Sequence, residues 1–251
     1  MTTNVIDRRK LVVASDSRWS ILNEVQGYVV FVDDTGFDKI ADRHFGSLIC
    51  AGDAKLIEAW KAWFRAPVLD VARLPDTERY EPNGSVQSIV VSLVTKPEGR
   101  LVYSFGWYLD HEDEAKFSGS GAVAARDCYV LNHCGKTAVA SAGSIDPMTG
   151  GETKYVEVQT MRHNLHQQVV SLKEVEEQLL NRGHVMDLNT KKVIPLAQWN
   201  QQSVAQGLEA GSLSLSAPTG QPHRAWTENE KNELRKALQN LANFEEAANG
   251  G

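Results

Sequence analysis

Met1-Thr-Thr-Asn-Val-Ile-Asp-Arg-Arg-Lys-Leu-Val-Val-Ala-Ser-Asp16 opens the chain, and the rest of the sequence is organised around it. Residues 3–6 and 10–15 are short β-prone runs on either side of a charged corner, Asp7-Arg8-Arg9, a pattern that predicts a hairpin. The stretch also offers chemistry. A small residue behind Met1 lets the methionine be removed, which gives Thr2 a free α-amine beside its hydroxyl. Such an amine has an ordinary pKa of roughly 7.7–8, so near neutral pH it can accept the hydroxyl proton. Met-Thr starts many proteins that do nothing with it, so residues further along must decide whether Thr2 is a nucleophile.

Composition narrows the field. With 251 residues, 42% hydrophobic and 23% charged, the chain can bury a sizeable core as one large domain or as a domain with an appendage. A net charge of -6 argues against nucleic-acid binding as its main business. Cys50, Cys128 and Cys134 make an odd count without Cys-x-x-Cys spacing, which disfavours a disulfide framework or a zinc site and fits a reducing compartment. Neither a signal-peptide core nor a run of the roughly 20 apolar residues a membrane span needs is visible, so the expected location is cytoplasmic, with no membrane partner.

Past the opening hairpin, Tyr28–Val32 reads as a strand, Asp33–Gly36 as a turn, and 44–50 as a strand ending at Ala51-Gly52. Leu56, Ile57, Trp60, Trp63 and Phe64 then recur at helical spacing. Residues 68–86 read as a loop, and 88–95 and 100–107 as strands about the Lys96-Pro-Glu-Gly99 turn. Asp110–Glu114 reads as a solvated acidic loop. Two helical runs follow, 122–133 and up to about 144, divided at Gly135, and then a strand at 154–158. Beyond residue 160, Ser171-x-x-Glu174 and Thr227-x-x-Glu230 are capping boxes, 187–196 reads as a small hairpin and 211–224 as a Ser/Gly/Pro-rich linker. Leu234, Leu238, Leu241 and Phe244 line one face of the last helix. Hairpin turns without βαβ alternation predict an α+β protein with antiparallel sheets. The preferred arrangement is a four-layer αββα sandwich, two facing sheets with helices on both outer sides, over residues 2–160, with a C-terminal helical extension over 161–251.

A threonine nucleophile needs a cation held by a carboxylate to tune the amine, and backbone N–H donors for an oxyanion. Asp16, Lys39 and Gly52 are candidates for those three roles. In this order they resemble the proteasome β-subunit family of N-terminal nucleophile hydrolases, bacterial HslV-type relatives included. The resemblance spans roughly residues 2–158. Thr2-Thr3 matches the mature start, Leu11–Arg18 the strand whose Asp16 pairs the lysine, Asp38-Lys39-Ile40 the lysine segment, and Cys50-Ala-Gly-Asp-Ala54 the oxyanion turn with Gly52. Gly119-Ser120-Gly121 and Asp146-x-x-Thr149-Gly-Gly151 match two further elements, with threonine where the family has serine. These place Ser120, Asp146 and Thr149 behind the terminal amine.

The resemblance further implies a substrate cleft in which Ser20 bonds the peptide backbone and Trp19, Phe37, Cys50 and Ala54 line an apolar pocket of limited size. It implies a cytoplasmic threonine endopeptidase that acts on peptides or polypeptides, self-compartmentalised as a homo-oligomer of ring or stacked-ring type, with no cofactor or metal. An ATPase partner is left open. The short corner at Asp7–Arg9, the long run before Lys39 and the C-terminal ninety residues depart from the HslV pattern. They point to less familiar bacterial homologues such as Anbu or the β-proteobacterial type. Two other readings stand beside this one: an amidase for small molecules using the same nucleophile, and a catalytically silent assembly subunit that keeps Met1. His163-x-x-His166 reads as surface, and Cys128 and Cys134 as core residues or free thiols.

Overall fold

The computed structural model describes residues 2–23, 26–81 and 84–249. Strands β1 (Asn4–Asp7) and β2 (Val12–Ser15) form the expected hairpin in antiparallel register, with Asn4 opposite Ser15. Asp7 closes its corner by accepting the Lys10 N–H at 2.9 Å, and its second oxygen takes the Gly135 N–H at 2.9 Å. Next come β3 (Trp19–Asn23), β4 (Tyr28–Val32), β5 (Ile40–Arg43) and β6 (Gly46–Asp53). Helix α1 (Ala54–Phe64) starts where Asp53 accepts the N–H groups of Lys55 and Leu56, both at 3.1 Å, so the strand-to-helix turn is a side-chain N-cap.

The chain continues through β7 (Glu78–Tyr80), β8 (Val86–Thr95), β9 (Leu101–Ser104), β10 (Leu109–His111) and β11 (Ala115–Ser118). Helices α2 (Ala122–Asn132) and α3 (Gly135–Ala142) and strand β12 (Lys154–Glu157) follow. The break between the helices falls at His133-Cys134 rather than at Gly135, which opens α3; His133 caps α2 in the left-handed conformation at φ 47°. The C-terminal region adds α4 (Leu172–Arg182), β13 (His184–Asp187), β14 (Val193–Pro195), α5 (Gln201–Glu209), β15 (Ser216–Ala217) and α6 (Glu228–Asn249). Both capping boxes form: the Glu174 carboxylate accepts the Ser171 N–H at 2.7 Å, and Glu230 accepts that of Thr227 at 2.7 Å.

These strands make two sheets. One has five strands in the order β10-β11-β1-β2-β12; the other has ten, β14-β13-β4-β3-β15-β6-β8-β7, with β5 on β6 and β9 on β8. The expected four-layer αββα sandwich with a helical C-terminal extension is therefore corrected. The described residues form two large, mostly antiparallel sheets of 15 strands that carry six helices. The physical reason lies in strand pairing, which one-dimensional patterns do not carry. Residues 184–217 supply three strands that hydrogen-bond into the larger sheet, β13 on β4 and β15 between β3 and β6. Asp110–Glu114 is likewise no free loop, since it spans β10 and the turn into β11.

Packing follows the patterning in most places. Leu56, Ile57, Trp60 and Phe64 of α1 are buried in the main core with Leu234, Leu238 and Leu241 of α6. Phe244 departs from that stripe at 55% exposed, its ring edge-on to Phe45. A second cluster lies between α2, α3 and the five-stranded sheet, built from Val5, Phe117, Tyr129 and Val139 among others. A third joins Ile6 and Val13 of one sheet to Ile40, Ile49 and Val94 of the other, which sets the two sheets against each other. Among the described residues, no helix is long and apolar enough to cross a membrane.

Candidate active site

Thr2 lies just ahead of β1, and the β1–β2 hairpin brings Asp16 back beside it. One Asp16 oxygen, Oδ1, accepts from the Thr2 hydroxyl, from the Thr3 N–H at 3.0 Å and from Lys39 Nζ at 2.8 Å. The other, Oδ2, accepts the N–H groups of Arg18 and Gly150, both at 3.2 Å. Five donors on one carboxylate fix its position. All three side chains are buried, and Lys39 is fully so. Burial pushes the Lys39 ammonium below its ordinary 10.5, and the charge of Asp16 opposes that shift. The predicted Thr2, Asp16 and Lys39 therefore meet in one hydrogen-bonded cluster.

A second predicted group sits behind it. The Thr149 hydroxyl donates to Asp146 Oδ2 at 2.7 Å, and Ser120 Oγ donates to the same oxygen. Thr3 Oγ1 lies 2.8 Å from Thr149 Oγ1 and so links this group to the first. Gly119, at φ +88°, lets the backbone pass close to Thr2, since a Cβ there would fall 1.9 Å from the Thr2 carbonyl oxygen. Gly52, at φ +110°, ends β6 with room for no side chain: a Cβ would sit 2.2 Å from the Ser88 carbonyl oxygen.

The residues expected to line the cleft, Trp19, Ser20, Phe37, Cys50 and Ala54, are all buried. Trp19 Nε1 donates to the Phe37 carbonyl at 2.7 Å, and the two rings lie 5.0 Å apart. Cys50 N–H donates to the Lys39 carbonyl at 2.8 Å, and burial raises the Cys50 thiol to about 12, so it stays protonated. Ser20 is fully buried, and its hydroxyl makes no hydrogen bond among the described residues. Ala54 is buried, and its N–H donates to the Leu215 carbonyl at 3.2 Å.

Several contributors are not legible from motif reading. Arg18 clamps Asp33 with Nε at 2.8 Å and Nη2 at 2.8 Å and donates to the Pro147 carbonyl at 2.7 Å. It thereby ties the strand carrying Asp16 to the loop carrying Thr149. Lys61 is buried on α1 with Nζ 3.5 Å from the Phe37 ring centroid, and burial brings its pKa down to about 7, with Arg65 pushing the same way. A cation thus stands behind a pocket expected to be apolar. The region read as a linker also reaches the site: the Thr2 backbone N–H donates to the Pro218 carbonyl at 2.9 Å. The expected removal of Met1 concerns a residue outside the described ones.

His111 at the end of β10, Glu114 on the turn after it and His133 at the cap of α2 offer ligand atoms within 4.8 Å of one another. Arg9 already pairs with Glu114 there at 3.1 Å. No protein-family model matches the chain, and no curated protein matches it.

Proposed function

We propose that the protein is a threonine-type peptidase whose nucleophile is Thr2, exposed by removal of Met1. The observation that carries this reading is the Asp16 carboxylate, which gathers the Thr2 hydroxyl and the Lys39 ammonium on one oxygen. A buried ion pair is costly to maintain, and the Lys39 charge lowers the pKa of a nearby amine or hydroxyl. With the α-amine of Thr2 free, the steps balance. The Thr2 hydroxyl proton passes to the amine as Oγ attacks the scissile carbonyl, and the oxyanion is held by backbone N–H at Gly52. The amine then delivers the proton to the departing amine of the substrate, which breaks the peptide bond and leaves an ester on Thr2. Water, deprotonated by the same α-amine, hydrolyses the ester and regenerates the hydroxyl.

The same reading makes the enzyme a cytoplasmic homo-oligomer, the assembly that the motif resemblance to proteasome β-subunits implies. Ring geometry would then restrict access to unfolded chains. Two measurements test the proposal. Intact mass of the purified protein is expected to lack Met1, and a peptide epoxyketone or β-lactone is expected to add once, at Thr2. Retention of Met1 together with no adduct contradicts the peptidase and leaves the assembly-subunit reading. Turnover of small amides without peptide cleavage favours the amidase.

A further inference from the structure

Thr2 is 0% exposed, so a substrate cannot reach it while the structure stays as it is. What covers it is the chain itself. From Leu213, whose N–H donates to the Gly207 carbonyl at 3.0 Å, the backbone runs extended across the Thr2 cluster. The Leu215 carbonyl accepts from Ala54 at 3.2 Å, and Ser216 stands opposite both Ser20 of β3 and Asp53 of β6. Ala217 pairs with Gly52, and the Pro218 carbonyl takes the Thr2 N–H at 2.9 Å. Gly220, at φ +76°, then passes over Ser120, where an added Cβ would lie 3.2 Å from Ser120 N and Cα. The segment therefore touches the candidate oxyanion turn, the candidate nucleophile and the candidate support serine in succession.

Its fit is that of a bound peptide. Strand β15 is only two residues long and is antiparallel to both neighbours, so it fills a slot between two strands that do not otherwise pair with each other. Leu215 and Ala217 point into the main core at 1% and 0% exposure, while Ser212, Ser214 and Ser216 alternate with them. Recognition by backbone pairing plus alternate apolar side chains is the mode by which an extended peptide adds to a sheet edge. Both ends are held outside the slot, by α5 before it and after it by Trp226, whose ring stacks 3.8 Å from that of Phe105.

We propose that residues 213–220 are an exchangeable strand that occupies the peptide slot of this site in cis, and that an extended peptide with apolar residues at alternate positions displaces it to reach Thr2. The proposal rests on the Thr2 reading for its catalytic consequence, but the exchange itself is a binding event. A slot open about 1% of the time weakens binding in trans about 100-fold, so releasing the segment restores a large factor.

The test uses the full chain, a fluorescein-labelled peptide copying residues 212–220, and two variants that disfavour the docked strand. Gly220→Val places a β-branched side chain at positive φ against Ser120, and Leu215→Asp puts a charge where the leucine is buried. Both variants are expected to bind the peptide at least about tenfold more tightly than the unaltered protein. Both are also expected to lose hydrogen-exchange protection at Ser216 and Ala217 and to react faster with an epoxyketone at Thr2. Protection that persists in both variants, or release of the segment without any gain in peptide binding, overturns the exchange. A gain in binding with no adduct at Thr2 leaves the exchange standing and contradicts the peptidase.

Discussion

Lys39 and Lys61 are two buried lysines with opposite partners, and the difference decides what each can do. Lys39 has the Asp16 carboxylate at 2.8 Å, whereas Lys61 faces an aromatic ring and shares its surroundings with Arg65. Replacing Lys39 by Ala is expected to lower peptide hydrolysis about 10²–10⁴-fold with the fold retained, read by kcat and circular dichroism; full activity in that variant contradicts the mechanism. Lys61→Met is expected to stabilise the protein by roughly 1–3 kcal/mol near neutral pH, the scale of a buried polar group freed from an imperfect site. The pH dependence has a definite sign. The unfolded chain keeps the Lys61 proton up to about 10.5 and the folded one releases it near 7, so stability rises with pH across that window. Denaturant titrations from pH 7 to 10 should show this slope in the unaltered protein and a smaller one in Lys61→Met. Motif order made Thr2, Asp16 and Lys39 legible in the sequence, because their residue types carry the chemistry. Lys61 was not, since its place on the helix, beside Trp60 and ahead of Trp63, fits a solvated face equally well.

At the scale of elements, the site depends on turns that only particular residues can make. Gly52→Ala is expected to cost at least about 2 kcal/mol and to reduce hydrolysis, because positive φ and a Cβ 2.2 Å from the Ser88 carbonyl oxygen force β6 and β8 apart. Thermal unfolding and kcat check this together, and an unperturbed melting point contradicts the close approach. Ser171→Ala, which breaks the capping box of α4 far from Thr2, is expected to cost about 1 kcal/mol and leave hydrolysis unchanged. Helices with caps and apolar stripes were readable in advance for that reason: their signals are local. Strand β15 was not read. The alternation Leu213, Leu215, Ala217 is period two, but Gly211, Pro218 and Gly220 on either side gave the stretch the texture of a linker. Its pairing partners lie far away in sequence, at Ser20 and at Asp53, beyond the reach of any window.

For the whole molecule, the C-terminal region is fastened to the larger sheet, which carries the Gly52 turn. Arg43 of β5 makes a two-pronged pair with Glu245 of α6, Nε donating at 2.6 Å, and also donates to the Phe64 carbonyl at 2.7 Å. The pair leaves little for solvent, with side chains 12% and 10% exposed. Arg43→Met strands the Glu245 carboxylate and is expected to destabilise the protein by roughly 1–3 kcal/mol, measured by denaturant unfolding; an unchanged midpoint contradicts the clamp. The sheet order is a property that local sequence patterns do not carry. Hairpins between neighbours in sequence are implied by their turns, while the entry of β13, β14 and β15 into a ten-stranded sheet depends on contacts no turn announces.

The most direct measurement is the intact mass of the full-length Gly220→Val chain before and after exposure to a peptide epoxyketone. A chain starting at Thr2 that gains one inhibitor mass, with the adduct mapped to Thr2 and lost in Lys39→Ala, is the result expected of a threonine nucleophile held by Asp16. A chain that keeps Met1 and gains no adduct contradicts it.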